Sequence, residues 1–182
     1  MFPLEEILNV QLLIQDKKKA RTPNIFGYIA YSDRNPYIIK LLEDDAFWRS
    51  LNARTEGWIL YAIKPNSPYY QGGNAEYINY CLGLKPEDYP QLVMLAIGSD
   101  GTMMQRNYPI SEESVDDAYK SLKDNIDAVC VAVRRIHPNY LSSTNVHREV
   151  VKALDAELAS KRWKRVVRDF VPLAKALFFK EL

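Results

Sequence analysis

Thiols are the most reactive side chains available to this sequence, and it has two, Cys81 and Cys130, far apart along the chain. They form neither a Cys-x-x-Cys redox pair nor a zinc-ligand set, so buried, reduced thiols in a reducing compartment are the expectation. His137 and His147 have no metal-ligand spacing between them, and His137 precedes a proline, a turn position. The carboxylates cluster as Asp44-Asp45, Glu112-Glu113 and Asp116-Asp117. Neighbours on a helix project about 100° apart and cannot act jointly on one bond. There is no phosphate-cradling glycine loop, no nucleophilic-serine elbow and no metal cluster, so no catalytic residue, metal or cofactor is expected.

A second kind of chemistry lies near the end of the chain. Lys161, Arg162, Lys164, Arg165 and Arg168 share a stretch with Trp163, Val166, Val167, Phe170, Ala174 and Leu177, as in a basic amphipathic helix. Such helices dock on acidic membranes or nucleic acid, or pack on their own domain with the charges solvated. Asp155, Glu157, Asp169 and Glu181 dilute the charge, which favours packing.

The whole composition points the same way. With 182 residues, 47% apolar residues and a net charge of +1, the chain can bury one core and is not built to coat nucleic acid. The start, Met1-Phe2-Pro3-Leu4-Glu5-Glu6, has no basic region, and no stretch approaches the ~18 apolar residues of a membrane span. A cytoplasmic protein is expected.

The elements that would position any site are readable from periodicity. Residues 4–20 fit a helix, or a strand and helix, ended by Thr22-Pro23-Asn24. Ile25–Tyr31 reads as a strand entering the polar turn Ser32-Asp33-Arg34-Asn35-Pro36, followed by a helix through Ile38, Leu41, Leu42, Phe47, Trp48 and Leu51. A strand at Trp58–Ile63 leads into a Pro- and Gly-rich loop with Tyr69-Tyr70, a short helix near Ala75–Leu82 and a Gly83 cap. After Tyr89-Pro90, the run Leu92–Ile97 has the character of a strand covered on both faces. Ser99-Asp100-Gly101 marks a hairpin returning through Thr102–Tyr108. Ser111 stands as an N-cap before Glu112 and Glu113, opening a long helix with its stripe at Val115, Ala118, Leu122, Ile126, Val129 and Val133. Helix formers resume near 146–159 and 163–179, a helical hairpin.

Right-handed crossovers make the first two strands parallel, and the hairpin makes the last two antiparallel, which yields an α/β fold with a mixed sheet. This order, with Tyr89-Pro90 just before strand Gln91–Ile97, resembles the thioredoxin superfamily over roughly residues 25–136. The resemblance implies a thioredoxin-like mixed four- or five-stranded sheet with helices on both faces and a cis Tyr89–Pro90 bond beside the active loop. It divides the chain into an N-terminal segment 1–24, a thioredoxin-like domain 25–140 and a C-terminal helical hairpin 141–182. Where that superfamily carries Cys-x-x-Cys, this chain has Ser32-Asp33-Arg34-Asn35. In that fold Cys81 and Cys130 would lie on opposite faces of the sheet, beyond the ~7 Å Cα separation a disulfide tolerates, so no oxidoreductase activity is expected.

The leading expectation is a redox-inactive, thioredoxin-like module binding an unidentified protein or peptide. Its groove would use Ser32, Asp33, Arg34, Asn35, Tyr69, Tyr70, Tyr89 and Pro90, with the loop amides at the helix start free to accept an anionic group. One alternative is a glutathione-transferase-like enzyme using the Ser32 hydroxyl, or less well that of Tyr31, although the tail 141–182 is shorter than that family's helical domain. The other is binding to anionic membrane or nucleic acid through the basic helix, against which the near-neutral charge argues.

Overall fold

A computed structural model describes residues 24–53, 55, 58–62, 79–80, 82–97, 103–136 and 148–161. Four strands, β1 (Asn24–Ala30), β2 (Ile59–Ala62), β3 (Gln91–Ile97) and β4 (Met103–Pro109), form one sheet in the order β2-β1-β3-β4. β1 and β2 are parallel, while β3 runs antiparallel to both β1 and β4. This is the mixed sheet that the crossovers and hairpin require. The Ser99-Asp100-Gly101 turn lies outside the described residues, but the Ile97↔Met103 pair shows the two strands it joins in register.

Among the described residues the helices are α1 (Pro36–Glu43), α2 (Asp45–Asn52), α3 (Val115–Ile136) and α4 (148–161). One continuous helix was expected for the first two. Instead the chain breaks at Asp44, whose carboxylate accepts the Ala46 and Phe47 N–H groups and so starts α2 as a separate helix. The start of α3 also shifts. Ser111 does not cap it; Ser114 does, accepting the Asp117 N–H at 3.1 Å. The acidic pairs thus serve structure: Asp44 caps, Asp116 pairs with Lys120, and Asp117 accepts the Glu113 amide.

Strand register sorts side chains onto two faces. Ile25, Gly27 and Ile29 lie beside Ala96, Met94 and Leu92, and Leu60 and Ala62 extend that face. Its core includes Ile38 and Leu42 of α1, Trp48 of α2, Leu122 and Ile126 of α3 and Leu154 of α4. Gly27 is needed there: a Cβ at this position would stand 2.6 Å from the ring edge of buried Trp58.

The opposite face is also buried, through Phe26, Tyr28, Tyr61, Val93 and Leu95. The segment from helical Asn79 and Tyr80 to Leu84 crosses it, and Gln105, opposite Leu95, donates to the Leu82 carbonyl at 2.8 Å. Gly83, at φ 66°, closes the short helix as expected, its N–H donating to Tyr80 O while the Leu84 N–H reaches Asn79 O. β3, covered on both faces, is the central hydrophobic strand its composition implied.

α4 packs into this core, since Val150, Leu154 and Leu158 belong to the same buried cluster. Polar contacts pin it: the Tyr108 hydroxyl donates to Asp155 at 2.8 Å, and Lys161 Nζ donates to the Asp124 carbonyl at 3.1 Å. The second helix of the expected hairpin, the N-terminal segment, Cys81, His137 and His147 lie outside the described residues. No described helix is long and apolar enough to cross a membrane.

Candidate functional site

The register Ala30↔Gln91 decides where the first loop goes. It sets the turn after β1 beside Tyr89 and Pro90, which lead into β3. The Tyr89–Pro90 bond is cis. Pro90 is buried, and its carbonyl accepts the Ile110 N–H at 2.9 Å, which brings in the connection between β4 and α3. Three connections therefore meet at one end of the sheet.

The turn itself is locked from within. Asn35, buried, accepts at Oδ1 from the Ser32 N–H (2.9 Å) and the Ser32 hydroxyl (3.2 Å), and its own N–H donates to the Ser32 carbonyl. The Ser32 hydroxyl oxygen in turn accepts the Arg34 N–H at 3.3 Å. Asp33 and Arg34 stand exposed at the tip, and Tyr89 is half-buried. Pro36 opens α1, where its missing N–H costs nothing.

The start of α1 is occupied. Glu112 reaches across from the β4–α3 connection, and one carboxylate oxygen accepts the Tyr37 N–H at 2.9 Å and the Ile38 N–H at 3.0 Å. The other accepts Asn35 Nδ2 at 2.7 Å. Three donors are satisfied by one carboxylate, in the position where the helix dipole favours negative charge. The expectation that these amides await an outside anion is therefore corrected: an internal anion holds them.

Sequence reasoning missed two residues here. Glu112 was read as a first-turn residue of its own helix, and nothing local signals a partner 77 positions away. Tyr37, 37% exposed at the start of α1, adds an aromatic ring to this surface and was passed over as a helix position. Tyr69 and Tyr70 lie outside the described residues.

Other expected chemistry is placed elsewhere. Cys130 is a buried thiol on α3. Of the basic residues only Lys161 is described; it is half-buried and bonded to the α3 backbone, while Arg162, Lys164, Arg165 and Arg168 lie outside. Among the described residues no cluster of His, Cys, Asp or Glu could hold a metal ion. Comparison with family models, curated proteins and solved structures finds no match to this chain.

Proposed function

We propose that this protein is a redox-inactive, thioredoxin-like module that binds a protein or peptide at the corner formed by the Ser32–Asn35 turn and Tyr89-Pro90. The observation that carries this reading is the pairing of Ala30 with Gln91, which sets the exposed tip, Asp33 and Arg34, beside Tyr89. The sheet order β2-β1-β3-β4, with one parallel and two antiparallel pairings, supports the thioredoxin-like part of the reading.

Thiol chemistry at such a corner needs a thiolate whose pKa is lowered by helix amides. Here the turn has no cysteine and Glu112 already takes the amides. What the corner offers instead is a guanidinium and aromatic area on a rigid turn, the residue types that dominate protein recognition. Glutathione activation by Ser32 is disfavoured, because its hydroxyl hydrogen is directed to Asn35 Oδ1.

The test is affinity capture with the wild-type chain and with Arg34→Glu, quantified by mass spectrometry after both are shown to melt alike. A captured protein lost from Arg34→Glu supports the reading. Partners retained equally by both would refute it.

A further inference from the structure

We propose that a second site, the cleft between the β4–α3 connection and the end of α4, binds a small molecule bearing a single carboxylate. The cleft has a volume of about 240 Å³, below the roughly 300 Å³ at which pockets for drug-sized ligands begin, so its occupant is small. Ile110 and Leu158, both buried, supply apolar walls.

The polar lining is rich in unused donors. Buried Ser121 accepts the Ser111 N–H at 2.9 Å, which leaves its hydroxyl hydrogen to donate. The Ser111 hydroxyl makes no hydrogen bond among the described residues. Lys161 spends one N–H on the Asp124 carbonyl, which holds the half-buried ammonium against the wall of the cleft, and its remaining donors have no partner among the described residues.

A carboxylate, which only accepts hydrogen bonds, complements two hydroxyl donors and an ammonium. Asp124, which has a partner of its own, also lines the cleft, and Lys161 is the one cationic side chain among its described lining residues. One ammonium balances the single negative charge of a carboxylate, on a simple acid or on an amino-acid zwitterion, and not the double charge of a phosphate dianion.

The test is titration of the full chain with acetate, glycine and inorganic phosphate, followed by amide NMR at Ser111, Asn125 and Lys161. Saturable shifts with acetate or glycine are expected, and the better of the two tells whether an ammonium on the ligand is read. Lys161→Met should weaken binding at least tenfold. Ser111→Ala, which removes no side-chain hydrogen bond among the described residues, should weaken it severalfold at an unchanged melting temperature. Saturation by phosphate alone, no saturable shift, or wild-type affinity in both variants would overturn the proposal.

Discussion

Glu112 and Asn35, 77 positions apart, are joined by a 2.7 Å hydrogen bond that ties the start of α1 to the segment leading into α3. The same carboxylate takes the Tyr37 and Ile38 amides, so a single side chain couples two helices. Glu112→Ala strands Asn35 Nδ2 and the Ile38 N–H, both at largely buried residues, and is expected to cost about 1–3 kcal/mol in urea unfolding. Glu112→Gln, which keeps one acceptor oxygen, should cost less. Equal losses from the two variants would show that charge alone matters.

The break at Asp44 gives a smaller, local effect. Its side chain caps α2 at 2.8 and 3.2 Å, so Asp44→Ala is expected to lower stability by about 1 kcal/mol. Asp44→Asn should recover most of that in thermal unfolding. A neutral Asp44→Ala would mean that packing of Phe47 and Trp48 alone starts the helix.

Gly27→Ala asks whether the sheet face is filled as described. The new methyl would lie 2.6 Å from Trp58 and 3.1 Å from Leu60, and Trp58 is buried. Overpacking of this kind costs typically about 1–3 kcal/mol. Pairing Gly27→Ala with Trp58→Leu should give back part of the loss in a double-mutant cycle; strict additivity would place the two residues out of contact.

Tyr108 makes stability depend on alkaline pH. Burial, then the hydrogen bond to Asp155 and its negative charge, hold the phenol's pKa well above the ordinary value, with Arg106 opposing. The native state therefore keeps a proton that the unfolded chain gives up. The stabilisation is fully present below about pH 10 and is lost as pH rises toward the folded value, by up to about 1.4 kcal/mol per pH unit. Tyr108→Phe should be less stable at neutral pH, for want of the Asp155 bond, yet show a shallower decline above pH 10. Parallel declines in the two proteins would contradict this.

Much of the sheet could be read from the chain because its signals are local. The continuous apolar run of β3 and the stripe of α3 each carry a local signal, and the antiparallel pairing of β3 with β4 follows from the short connection between them. The cap at Gly83 was equally visible, since few other residues tolerate its φ of 66°. The break at Asp44 was hidden by an apolar stripe that runs on in phase from Leu41 to Trp48. The role of Glu112 was hidden for a deeper reason: its partners are backbone amides on an element set against it only by the finished fold. A capping signal next to α3 looked sufficient by itself, yet Ser114 performs that task and frees Glu112 for α1.

The central claim is that recognition takes place where the turn at Arg34 meets Tyr89 and Pro90. It is tested most directly by placing a photoreactive amino acid at position 34 and, as a control, at Lys152, an exposed position on α4. Irradiation of the full chain with its native cell contents should give a discrete cross-linked partner from position 34 and none from position 152. Adducts of equal yield from both positions, or from position 152 alone, would contradict the account.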